Sequence, residues 1–246
     1  MNTKSIDLLN HLICDWTRIK TNIINKYNII DESLINSFVC LVNKAKEKNK
    51  HESCDFNVLR FFHIGETMHS FLLAKFLDMN SEHGQENLFL KLFLQKLNID
   101  KPDTKNWIVT AEKGRVDVLL KRFSPHSVIV IENKSNNAED QPNQLYRYWY
   151  YQIYLKNTKI DYTCEDNFKN FKVIYLIPND WKKPSDNSLI KPLSWANDLP
   201  DEILIKPKIW KFNKQIVEWL EQSLEQLPEK NYRMQEYVKQ YIEYWS

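Results

Sequence analysis

Apolar positions in the first hundred residues recur every three to four places, the signature of amphipathic helices. Ile6, Leu9, Ile13, Trp16 and Ile19 predict a first helix. A second starts after Asp31, carries Leu34, Phe38, Leu41, Val42 and Ala45 on one face, and ends in the solvated run KAKEKNKHE. A third covers about 56–78, and QENLFLKLFLQKL predicts a fourth. Near residue 106 the pattern changes to short runs rich in Val and Ile, bounded by Gly and Pro. NWIVTAE, RVDVLLKR and SVIVIENK read as three strands joined by KG and FSPH turns. A long helix is expected from Asp140–Pro142 to about 156, because Pro is tolerated in a first helical turn. FKVIYLI, apolar throughout, suits a central strand covered on both faces. Residues 180–208 read as a Pro-, Asp- and Lys-rich loop, PKIWKF as a last strand, and 213–226 and 231–245 as closing helices. The order predicts a single α/β domain over 1–246, with residues 1–50 as a helical extension.

Composition narrows the classes. The 246 residues are 43% hydrophobic, with 8 Trp, 12 Tyr and 12 Phe, enough for a sizeable core and too apolar for a disordered chain. Three glycines exclude Gly-rich phosphate cradles and dinucleotide fingerprints. A net charge of +2 lacks the strongly basic footprint of a nucleic-acid coat protein. No apolar run reaches a membrane-spanning length, and the polar start MNTKSIDLLN reads against a signal peptide, so a cytoplasmic protein with no membrane partner is expected. Cys14, Cys40, Cys54 and Cys164 show no C-x-x-C spacing and are expected as reduced thiols. His51, Cys54 and His63 fit no zinc spacing, and Cys54 reads as a small buried residue.

The chemistry concentrates in 115–134. With FSPH as a four-residue connection, antiparallel pairing sets partners whose numbers sum to 249, so Asp117 faces Glu132. Opposed Cβ atoms sit ~4.5–5.5 Å apart, and like charges there destabilise a sheet. Lys134, two residues on, projects from the same face as Glu132. Carboxylates rarely interrupt central strands unless paired or metal-bound. Two carboxylates and an ammonium suit phosphodiester hydrolysis. Mg2+ prefers oxygen ligands, clamps the phosphate and lowers the pKa of a water, while the ammonium orients that water and offsets developing charge. The plainer reading is an Asp–Lys–Glu ion-pair cluster at a strand end. A one-residue slip would send the two acids to opposite faces.

Asp117 followed by Glu132-Asn133-Lys134 resembles the D…(D/E)-x-K signature of the PD-(D/E)XK nuclease superfamily. The surroundings are similar to a bacterial branch with E-x-x-H-S on a preceding helix and D-Q…Q-L-x-x-Y after the lysine. Glu66-Thr67-Met68-His69-Ser70, Asp140-Gln141 and Gln144-Leu145-Tyr146-Arg147-Tyr148 carry those motifs, and the last also resembles the Q-x-x-x-Y of RecB-like exonucleases. The resemblance covers about 60–178 and leaves out the first fifty residues and the tail after 180; Val116 stands where the family name has Pro. It implies a restriction-endonuclease-like α/β core, a central mixed sheet of about four strands flanked by helices, within about 56–178, with additional N- and C-terminal helices. It further implies a Mg2+-dependent endodeoxyribonuclease (Mn2+ as an alternative ion), acting in restriction or phage defence. Asp117, Glu132 and the Asn133 carbonyl would hold the metal, Lys134 would serve the water, and Glu66 would complete this metal site or a second one. Gln144 would face the site, with Tyr148 one helical turn on.

Plainer readings stand beside these. Glu66 reads equally as an exposed helical acid, His69 as a helix-interface residue, and the aromatic band Tyr146–Tyr154 as core. Lys113, Arg115, Lys121, Arg122 and Arg147 could meet phosphates but read mostly as solvated. The rival functions are a catalytically silent nuclease fold that binds nucleic acid or protein, and an interaction scaffold with purely structural hairpin charges. DNA is the expected partner, with RNA open. The opening helices and 180–246 are compatible with substrate selection or a homodimer.

Overall fold

The computed structural model describes residues 15, 32–53, 55–62, 64–103, 105–113 and 115–246. The predicted first helix, Cys54 and His63 therefore lie outside the described residues. The chain divides into two compact units, residues 1–61 and 62–246.

In the first unit, helix α1 spans Glu32–Glu52, starting after Asp31 and ending in the polar run KAKEKNKHE as expected. Of its expected apolar face only Val42 is buried; Leu34, Phe38 and Leu41 are exposed and Ala45 is half-buried. The helix expected over 56–78 breaks in two. Asn57 caps a single turn, Val58–Arg60, by accepting from the Leu59 amide, and the next helix begins only after Gly65, whose backbone is extended.

The second unit is built on five strands: β1 (Trp107–Lys113), β2 (Val116–Arg122), β3 (Ser127–Asn133), β4 (Phe171–Ile177) and β5 (Lys208–Lys211). They lie side by side in chain order, one more than the four expected of the core, the fifth being PKIWKF. The first two pairings are antiparallel and the last two parallel, so the sheet is mixed. Val118 pairs with Ile131 and Arg122 with Ser127, which is the register that the FSPH connection predicts.

Helices cover both faces. α2 (Glu66–Leu77) packs on β1, β2 and β3, and α3 (Leu88–Lys96) packs beside it. α4 (Gln144–Gln152) covers the other face, with the short α5 (Asp186–Leu189) against it. The helix expected from Asp140–Pro142 starts later because Asn143 adopts a left-handed conformation (φ 57°), and it stops at Gln152, with 154–156 forming a separate turn. Leu119, Val128, Val130, Val173, Leu145, Tyr146 and Trp149 form the core under α4, so that part of the aromatic band is packing.

The tail returns to the fold. A π-helical turn, Phe212–Ile216, leads into α6 (Val217–Gln226), then α7 (Tyr232–Trp245). The buried Trp219 indole donates to the Phe89 carbonyl at 2.9 Å, tying α6 to α3. Among the described residues no helix is long and apolar enough to cross a membrane.

Candidate active site

Strand alternation sorts the end of β3. Glu132 and Lys134 fall on the α4 face, and Asn133 on the α2 face. The Asn133 side-chain amide donates to the Glu66 carbonyl at 2.8 Å and to Ser70 Oγ at 3.1 Å, which fixes the strand end against α2. Its backbone N–H donates to Asp117 Oδ2 at 2.6 Å, so the Asp117 carboxyl reaches across from β2 to β3.

Glu132 and Lys134 form a buried ion pair, Oε1 to Nζ 2.7 Å, with both side chains at most 4% exposed. The Lys134 ammonium also donates to the Glu139 carbonyl and to Gln144 Oε1, each at 3.3 Å, and lies 3.6 Å from Asp140 Oδ1. Gln144 sits in the first turn of α4; its amide donates to Tyr148 OH at 3.0 Å, one turn on. Asp140 accepts from Tyr175 OH and from the Ser185 amide, both at 2.7 Å.

Burial first, then the neighbouring Glu132, pushes the Asp117 carboxyl up. Burial also raises Glu132, although Lys134 pulls it down, so the two acids favour holding a proton between them. Burial pulls the Lys134 ammonium down, but Glu132, then Asp140 and Glu66, outweigh it and keep it protonated. Glu132 Oε2 is buried and receives no hydrogen bond.

That oxygen, beside a second carboxyl, fits a hard divalent cation. Among the described residues no three His, Cys, Asp or Glu side chains converge into a protein-only cage. Mg2+ commonly binds through one or two carboxylates and keeps its waters, so the pair Asp117 and Glu132 suffices.

The structure thus brings Asp117, Glu132, Lys134 and Gln144 together. Glu66 stands at the N-terminus of α2, where its Oε1 accepts from the amides of Asn136 (3.1 Å) and Ala138 (3.4 Å). It faces the loop that follows β3 and acts on Lys134 through space. His69 is completely buried; its Nδ1 lies 3.0 Å from Tyr241 OH of α7, and the rings of Phe212, Tyr244 and Trp245 surround it. It is an interface residue. Arg122 is neither solvated nor free for phosphate: it is 1% exposed, donates to the carbonyls of Asp100, Lys101 and Pro125 and to Ser127 Oγ, and lies over Trp107.

Sequence reasoning missed the part played by Asp140, Tyr175 and Ser70. The D-Q pair marked Asp140 without a role, and Tyr175 is hidden in an apolar strand. Glu112, near the end of β1, was also passed over. Asp117 feels its charge, and burial raises its own carboxyl.

A family model described as the PD-(D/E)XK nuclease superfamily matches residues 56–243. The match runs well beyond residue 178, so the tail that the motifs left out lies within it. Neither the curated proteins nor the solved structures contain a match.

Proposed function

The chain belongs to the PD-(D/E)XK nuclease superfamily, and from that premise we propose that it is a divalent-metal-dependent nuclease hydrolysing DNA phosphodiester bonds. In this reading the 62–246 unit carries the chemistry, residues 1–61 are an extension, and the protein acts in the cytoplasm in restriction or phage defence. The observation that carries it is the Asp117–Glu132–Lys134 group, with Glu132 and Lys134 buried, Asp117 half-buried and one Glu132 oxygen without a donor. An ion-pair cluster built only for stability would set a nitrogen or hydroxyl donor on that atom rather than a second carboxyl. The Gln144–Tyr148 hydrogen bond supports the RecB-like assignment of the Q-x-x-x-Y motif.

Mg2+ held by Asp117 and Glu132 would supply Lewis-acid polarisation of the phosphate and a water of lowered pKa. The chain's own residues do the rest. The Asn133 N–H holds one Asp117 oxygen in place. Lys134, kept protonated, is suited to neutralise charge gathering on the phosphate oxygens and to orient the attacking water rather than to remove its proton. Gln144 and the Glu139 carbonyl fix the direction of the ammonium. In-line attack would leave 5′-phosphate and 3′-hydroxyl ends, as in the family.

The test is incubation of linear and circular DNA with Mg2+ or Mn2+, comparing wild type with Lys134→Ala. Wild type should cut, and the variant should lose about 10²–10³-fold in rate. Equal behaviour of the two proteins removes the catalytic reading in favour of a silent binding fold. Cleavage of RNA alone overturns the DNA assignment.

A further inference from the structure

The segment that follows β4 lies beside the proposed site. The Lys134 amide donates to the Leu176 carbonyl at 2.8 Å, so β4 leaves the sheet next to the end of β3. Residues 178–185 are then held at three points. Asp180 pairs with Lys211 of β5, the Lys182 ammonium donates to the Ala138 carbonyl, and the Ser185 amide donates to Asp140 Oδ2. Asp140 also contacts the Lys134 ammonium, so one carboxylate joins this loop to the proposed catalytic lysine.

Between the first two anchors sits Trp181, with 67% of its surface exposed and no ring contact among the described residues. The side chains on either side of the indole are engaged, Asp180 with Lys211 and Lys182 with the Ala138 carbonyl, and the backbone is tied to Asp140 at Ser185, so the loop carrying Trp181 is held beside the site. Other large apolar side chains are more exposed, Leu193 and Phe123 among them. Trp181 differs in its neighbours. Lys182 feels the charges of Asp140, Lys134, Glu66 and Glu139, and Lys183 is exposed beside it. An aromatic face next to two ammonium groups is the pairing that holds unpaired bases and their phosphates.

We propose that the 178–185 loop is the substrate rim of the site, with Trp181 stacking on an unpaired base and Lys182 and Lys183 holding its phosphates, so that the enzyme selects single-stranded or frayed DNA over intact duplex. This rests on the nuclease reading and adds the substrate class to it. Duplex offers its base faces only at its ends, whereas a single strand offers one at every nucleotide.

The experiment is equilibrium binding of the full chain, with Ca2+ replacing Mg2+, to a fluorescent oligo-dT strand and to a blunt duplex of equal length. Wild type should prefer the strand. Trp181→Ala should weaken strand binding about 5- to 100-fold while duplex binding and the melting temperature stay unchanged; Trp181→Phe should restore most of the loss. Lys182→Ala should lower the salt dependence of strand binding by about one phosphate contact. An equal loss on both probes, no loss on the strand, or a wild-type preference for duplex overturns the inference and leaves the nuclease reading intact. Binding of neither probe by wild type overturns both.

Discussion

Acidification should weaken the fold through His69. The side chain is fully buried, and burial lowers its pKa from 6.5 to about 4. In the unfolded chain the imidazole takes a proton near its ordinary value, while in the folded protein it stays neutral until the lower value is reached. The unfolded state therefore binds more protons between the two values. The stabilisation from a neutral His69 is complete above pH ~6.5 and is lost as pH falls toward about 4. The loss reaches about 1 kcal/mol at pH ~6 and about 2–3 kcal/mol at pH ~4.5, relative to pH ~7.5.

His69→Gln isolates this effect, because an amide can still reach Tyr241 OH and cannot take a proton in this range. Its own packing cost shifts its stability by a constant amount. The measurement is urea unfolding of both proteins at the three pH values. The gap between them should close by about 2–3 kcal/mol from the highest to the lowest. A gap that does not change with pH refutes the reasoning, whatever the stability of either protein.

Asp117→Asn should stabilise the metal-free protein by at least about 1 kcal/mol, read as a higher melting temperature, because it removes a carboxyl that is costly to ionise beside Glu132 while keeping an acceptor for the Asn133 amide. A carboxyl raised in the folded state favours folding at low pH, so this advantage should grow as pH rises; saturating Mg2+ should shrink it by stabilising only wild type. Asp140→Asn should slow cleavage about 10–100-fold, as loss of a partner that orients the residues of a metal site does, measured as rate per folded molecule. Arg122→Met should cost about 3 kcal/mol or more in urea unfolding, since it strands buried carbonyl groups and Ser127, with no effect on cleavage per folded molecule.

The strands and their register were legible because hairpin geometry is local. A four-residue connection and two apolar runs fix which residues oppose each other, and Val118–Ile131 pairing follows. The convergence of Asp117, Glu132 and Lys134 was legible for the same reason. Helix boundaries were harder. Apolar spacing runs through 56–78 without a gap, but the first part forms a single turn, Val58–Arg60, and the backbone is extended at Gly65 before α2 begins. Asn143 delays α4 by a left-handed turn that tertiary contacts select, among them its side-chain bond to the Ile190 carbonyl at 2.9 Å. Partners distant in sequence were invisible to spacing. Tyr175 bonds Asp140 across 35 residues, and His69 meets Tyr241 across 172.

Charge balance explains why so many ionisable groups can share one apolar hairpin end. Asp117, Glu132 and Asp140 contribute three carboxyls to the buried cluster, and Lys134 one ammonium. Fully ionised, the cluster would carry two net negative charges in a low-dielectric setting, which a fold does not sustain unaided. The metal-free protein relieves this by raising Asp117 and Glu132, so that a proton stands between them. One divalent cation would relieve it fully, taking the place of that proton between the two carboxyls. The apolar rows of β2 and β3 thus serve two ends at once: they supply the burial that holds the sheet together, and they make these acids poor anions alone and strong ligands for a hard cation.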